Sequence, residues 1–164
     1  MRRLSLLFFL LLCSACASGG FASAPIAESQ ALGLEHTPID ELTQRAEAGQ
    51  ELAILELARR YTSGQETQQD ALIALDLYRI IAESTSDLAA VAQTRIGKLY
   101  MEGVPPLKQD FVEAYMWFDQ VISENGKDAV VDKERVLRLH NFTRINMSDA
   151  ERVKLAKRLE NKTY

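Results

Sequence analysis

The side chains able to do redox, nucleophilic or general acid–base chemistry are few in this sequence. Its only cysteines, Cys13 and Cys16, both fall in "LLCSACASGG" (Leu11 to Gly20). Its only histidines are His36 and His140, and neither has a Ser, Cys or acid at a recognised motif spacing. Asp and Glu are abundant but sit at helix caps or on faces that also carry Lys and Arg, as a solvated surface does. No Gly-rich phosphate loop or metal-ligand spacing occurs. No catalytic residue, metal or cofactor is expected.

The segment before the thiols explains their position. Arg2 and Arg3 form a positive n-region, Leu4 to Leu12 a nearly unbroken apolar run, and small residues follow, which is the layout of a secretory signal. A permanent span needs roughly 20 apolar residues, and this run is much shorter. Two processing routes fit. Ala15-Cys16-Ala17 satisfies a small-x-small rule for ordinary signal peptidase, which would yield a soluble periplasmic or secreted protein. Cys13-Ser14-Ala15-Cys16 resembles a bacterial lipobox, with Cys13 where Leu is usual and Cys16 as the lipid acceptor. The lipobox is the preferred reading, because a free exported thiol would otherwise need its own explanation. It implies two or three acyl chains on Cys16, enough for stable anchoring at about 0.8 kcal/mol per buried CH₂. Ala17 in place of Asp implies, by resemblance to sorted lipoproteins, an outer-membrane destination facing the periplasm.

Processing also alters the charge. Of the 19 basic and 23 acidic residues, cleavage after residue 15 removes Arg2 and Arg3 and no acid, leaving 17 against 23 and a formal charge of −6. Nucleic acid is an unsuitable partner for such a surface. Without Cys beyond Cys16, intrachain disulfides are ruled out, and stability must come from packing. Residues 16–36 are small, weakly charged and aperiodic, as a flexible tether is, spanning roughly 25 Å. A single domain, residues 37–164, then opens at Thr37-Pro38, read as an N-cap followed by Pro at the first helical position with Asp40 at the third. Every later segment has a helical period.

An internal repeat organises the domain. "LARRYTSG" (Leu57 to Gly64) and "IGKLYMEG" (Ile96 to Gly103) align at an offset of 39, pairing Leu57 with Ile96, Tyr61 with Tyr100 and Gly64 with Gly103. "DALIALDLYRIIA" from Asp70 and "DFVEAYMWFDQVI" from Asp110 align at an offset of 40, pairing Ala74 with Ala114 and Tyr78 with Phe118. In each first helix Ala53, Leu57 and Tyr61, or their equivalents, drift around one apolar face, while Ala58 or Gly97 lets a neighbour approach. Gly64 and Gly103 suit left-handed C′ positions. Asp70 and Asp110 suit N-caps, Glu113 completing a capping box at Asp110. The second helices return Ala74, Tyr78 and Ala82, or Ala114, Phe118 and Ile122, against the first. The predicted fold is all-α, a short α/α solenoid of antiparallel helix pairs, with repeats at about 50–84 and 89–126 and a cap at about 127–161.

The stretch Ile96 to Ala129 resembles the Sel-one-like repeat, a relative of the tetratricopeptide repeat, with Gly97, Tyr100, Gly103, Val104, Asp110, Ala114, Trp117, Phe118 and Gly126 at the pattern's positions. The preceding unit departs from it, with Ala58 for the second small Gly and no Val-Pro turn after Gly64. "MSDAERVKLAKRL" (Met147 to Leu159) resembles the capping helix of bacterial members. Glu134 and Arg138 fall where a third unit would place Leu57 and Tyr61, so the array ends on a polar face. Ser148 and Glu151 form a capping box for the last helix, whose stripe is Ala150, Val153, Ala156 and Leu159. The sequons at Asn141, Asn146 and Asn161 carry no meaning beside a lipobox.

The resemblance implies a non-enzymatic module that binds or scaffolds envelope proteins on the concave face lined by the first helices. On that face Glu56, Arg59 and Ser63 correspond to Arg95, Lys98 and Glu102, so Arg59, Arg95 and Lys98 are candidates for a basic strip. Tyr61, Tyr78, Tyr100, Tyr115 and Phe118 are read as core, and Trp117 as an edge residue open to a partner. The alternatives are a subunit of an envelope secretion or polysaccharide-export assembly and an enzyme acting on cell-wall-like ligands.

Overall fold

The computed structural model describes residues 34–123 and 131–162; the signal, Cys16, most of the tether and Gly126 lie outside them. After a 3-10 turn (Leu34–His36) come α1 (Ile39–Glu47), α2 (Glu51–Ser63), α3 (Ala71–Ala82), α4 (Ala89–Glu102), α5 (Phe111–Ser123), α6 (Lys133–Asn146) and α7 (Asp149–Lys162). No strand occurs among the described residues. From α1 to α6 each helix packs on its sequence neighbours, whereas α7 lies across α5. The architecture is a short α-solenoid with α2/α3 and α4/α5 as its two full units.

The two units repeat at the level of single hydrogen bonds. Gly64 (φ +72°) and Gly103 (φ +66°) end α2 and α4 in the left-handed region, their N–H groups reaching Arg60 O (2.8 Å) and Leu99 O (3.0 Å). The Asp70 and Asp110 N–H groups then donate to Tyr61 O and Tyr100 O, each at 2.9 Å. Gln69 and Gln109 donate through Nε2 to Thr62 O and Met101 O, each at 2.8 Å. The aspartates cap α3 and α5, each through Oδ1, which accepts from Leu72 and Ile73 or from Val112 and Glu113. The second, longer loop reaches back to the first unit, where the Ala71 N–H meets Pro105 O at 3.0 Å.

The core runs continuously through the units. Leu57 and Ala53 pack on Leu42 of α1, Ala58, Ala74, Tyr78, Ile96 and Leu99 fill the centre, and Ala114, Phe118, Val121 and Val136 carry packing into α6. Gly97 is the tightest point, because a Cβ there would stand 2.5 Å from the Phe118 ring. Of the aromatics expected in the core, Tyr78 and Phe118 are buried, while Tyr61, Tyr100 and Tyr115 are half-buried.

Several local expectations need correction. α1 begins at Ile39, with Pro38 as its capping residue, placing Asp40 second in the helix. Thr37 spends its N–H on Leu34 O (3.1 Å) and is buried in the turn. The tether does not extend through His36, since Leu34 is 5% exposed and the turn is docked on α2. The capping box at Asp110 is half made. The Asp110 N–H is already used by Tyr100, and Glu113 turns to Arg158 of α7. At Ser148 the box is complete, Glu151 accepting from the Ser148 N–H at 2.8 Å and the Ser148 Oγ accepting from the Glu151 N–H at 3.3 Å. α7 does not bury the expected stripe. Ala150, Val153 and Ala156 are exposed, and Leu155 with half-buried Leu159 meets Phe111, Val112, Tyr115 and Met147, because two leucines one turn apart remove more apolar area than the alanine-rich face.

Candidate interaction face

The first helix of each unit and the helix that follows them bring cations together. Arg59 comes from α2, Arg95 and Lys98 from α4, and Arg135 from α6. Arg95 and Arg59 both act on the buried hydroxyl of Tyr78, which hydrogen-bonds Thr62 of α2. Arg95 and Arg135 both act on Lys98. Burial pushes the Lys98 ammonium below its ordinary pKa; Arg95 and Arg135 push the same way, and Glu102, at 3.7 Å, opposes them.

The four cations are not equivalent. Arg59 is engaged: Nε meets Glu56 Oε2 at 2.8 Å, and Nη2 meets Glu56 Oε1 at 2.6 Å and Gln65 Oε1 at 2.8 Å. Arg95 and Arg135 have no ion pair among the described residues. The strip expected from Arg59, Arg95 and Lys98 is thus spatially connected, but its available charge lies toward α6. Arg135 is not marked by the sequence, because its segment reads only as a cap and no repeat offset singles it out. Glu102 is exposed and serves as the partner of Lys98.

A second feature that sequence reading missed lies just behind this face. Arg60, with no side-chain exposure, gives Nε to Glu56 Oε1 (3.1 Å), Nη1 to Glu66 Oε2 (2.6 Å) and Nη2 to the carbonyls of Leu34 (2.9 Å) and Glu35 (3.2 Å). Burial alone would raise the Glu56 pKa, but the bonds from Arg59 and Arg60 outweigh it and bring it down. Arg60 clasps the incoming chain, and no local motif marks the arginine as buried, because the carbonyls that it holds belong to a turn distant in sequence.

Trp117 lies elsewhere, half-buried in a cleft of about 380 Å³ between the α3–α4 turn and α5. His140 stacks on Tyr115 (4.0 Å between centroids), with Asp119 Oδ1 3.8 Å from Nε2. Among the described residues no three His, Cys, Asp or Glu side chains cluster as a metal site, and no helix is long and apolar enough to cross a membrane.

No protein-family profile matches the chain, nor does any curated protein. Solved structures do. A protective antigen present in uropathogenic Escherichia coli strains and displaying an SLR fold aligns with 76% of this chain at 22% identity and a TM-score of 0.56. This chain spans 24% of that structure's length. A Sel1 repeat protein from Oxalobacter formigenes aligns with 73% of this chain and 97% of its own, at 20% identity and a TM-score of 0.39. The likeness to the Escherichia coli structure shows the fold: this chain folds as SLR (Sel-one-like repeat) units.

Proposed function

We propose that this domain is a non-enzymatic protein-binding module whose α2–α4–α6 face receives an acidic segment of a partner. The observation that carries the reading is the convergence of Arg95, Lys98 and Arg135 from two helices, with Arg95 and Arg135 lacking ion pairs among the described residues, on a chain whose formal charge is −4. Cations massed against the sign of the whole molecule favour an oppositely charged ligand and speed its encounter. Arg59 contributes less, since Glu56 already holds its guanidinium.

Mild crosslinking followed by co-purification tests this face. Lys98→Glu with Arg135→Glu is expected to remove the bound proteins, and the same set recovered from the variant and the wild type would overturn the assignment. Lipid on Cys16 places the module at the bacterial envelope in this reading, on the outer membrane and facing the periplasm. Cys16→Ser is then expected to move it from membranes to the soluble fraction. A second reading, a subunit of an envelope assembly, is favoured by the exposed Leu137, Phe142, Ile145 and Val153 on α6 and α7. It predicts that the protein is degraded in cells lacking its neighbours.

A further inference from the structure

The cleft beside Trp117 has a polar floor that packing does not require. Gln93 of α4 is 2% exposed, and its position in the repeat is filled in the first unit by Ile54, equally deep in the core. An isoleucine would close this place without polar demands. Instead the Gln93 Nε2 donates to Ala82 O at 3.3 Å, and Oε1 is left buried with no partner among the described residues. The amide cannot be turned to relieve this, because the Ala82 carbonyl only accepts. Both Gln93 and Ala82 line the cleft. A buried acceptor held in this way calls for a donor from outside the chain.

The remaining lining narrows that donor's chemistry. Among the described residues, Glu83 and Asp87 stand exposed at the rim without an ion pair, and no Lys or Arg lines the cleft. The serines are already engaged, Ser84 Oγ donating to Ile81 O at 2.8 Å and Ser86 Oγ to Glu51 Oε2 at the start of α2 at 2.6 Å. Trp117 supplies an aromatic wall. An anion would meet two carboxylates, and an ammonium, although it can sit over the indole face, is a compact point charge without a planar fork to lie flat there while its N–H groups reach several acceptors. A planar guanidinium can lie on Trp117, give one N–H to Gln93 Oε1 and turn others to Glu83 and Asp87. We propose that this cleft binds a guanidinium group, that of an arginine side chain or of a small arginine-like compound. It is separate from the basic face, and neither reading depends on the other.

Trp117 is the sole tryptophan of the chain, so its fluorescence reports directly on the cleft. Titrating the full chain with acetyl-arginine amide is expected to give a saturable change with a Kd of about 1 mM. Acetyl-citrulline amide, its uncharged isostere, is expected to bind about tenfold more weakly. Gln93→Leu should lose about tenfold while keeping its helical circular dichroism, and Glu83→Gln with Asp87→Asn, which touches only the rim, should do the same. No saturable response to the arginine probe, an equal response to citrulline, or unchanged affinity in the rim variant would each overturn the proposal. A glycine-flanked arginine peptide binding more tightly than the amide would assign the site to a polypeptide, and equal or weaker binding would assign it to a small guanidinium compound.

Discussion

Position 60 in the first unit is Arg, and its counterpart in the second, position 99, is Leu; both side chains are buried. The backbone around them is nearly the same, down to the glycine cap and the tyrosine carbonyl that receives the next N-cap's N–H. What differs is the neighbour. Leu99 lies inside the array between apolar layers, where a charge would have no partner. Arg60 lies where the chain enters, and the incoming turn offers two carbonyls while Glu56 and Glu66 offer carboxylates. A repeat position is therefore a place in a register, and the chemistry it accepts is decided by whether a further unit or an open end adjoins it.

The comparison breaks most sharply with Leu99→Arg. A guanidinium forced into the centre without partners is expected to cost more than about 5 kcal/mol, close to the whole stability of a small domain, so the variant should lack a cooperative melt by circular dichroism. Arg60→Leu, which makes the first unit like the second, should be milder. It strips one of two arginines from buried Glu56 and releases the turn, for a loss of about 3 kcal/mol in urea unfolding. A variant as stable as wild type would show that the clasp is dispensable.

A smaller effect distinguishes the close approaches. Gly97→Ala gains about 1 kcal/mol of helix propensity, but a Cβ 2.5 Å from the Phe118 ring forces repacking that costs about 1–3 kcal/mol. A net loss near 1 kcal/mol is expected. Ala58→Gly in the first unit should lose about as much through propensity alone, so both exchanges should lower the melting temperature although they run in opposite directions.

The smallest effect concerns pH and the end of the array. Burial lowers the His140 pKa; Arg144 on the same helix adds to this, and Asp119 of α5 opposes it. Tyr115 of α5 covers one face of the ring. The folded state thus disfavours the imidazolium. The stability this represents is complete above the unfolded pKa of about 6.5 and is lost as pH falls from there through the lower folded value. His140→Phe should flatten urea midpoints measured between pH 7 and pH 5. An unchanged slope would remove His140 from the account.

The register of the two units was legible from Tyr61, Gly64, Asp70, Ala74 and their partners because those residues report local demands: a left-handed cap, an N-cap, a close packing layer. Arg60 was not, since one arginine in "LARRYTSG" reads as surface until the turn that covers it is seen. The α7 stripe was misread for a related reason, because α7 packs across α5 rather than along α6, and that crossing chooses Leu155 over Val153. Of the candidate face, Arg95 and Lys98 followed from the repeat offset, whereas Arg135 required the fold. Gln93 was invisible as a site residue, because only its burial beside an unmet acceptor separates it from an ordinary helix glutamine.

The clasp also has a mechanical reading. A pull arriving through the chain that precedes Leu34 does not reach α1 first, because the Leu34 and Glu35 carbonyls are held by the Arg60 guanidinium. The load passes into the last turn of α2, braced by Glu56 and Glu66. α1, which caps the apolar edge at Leu42, is bypassed. A domain held by its N-terminal end could thus be tugged without peeling open its first helix.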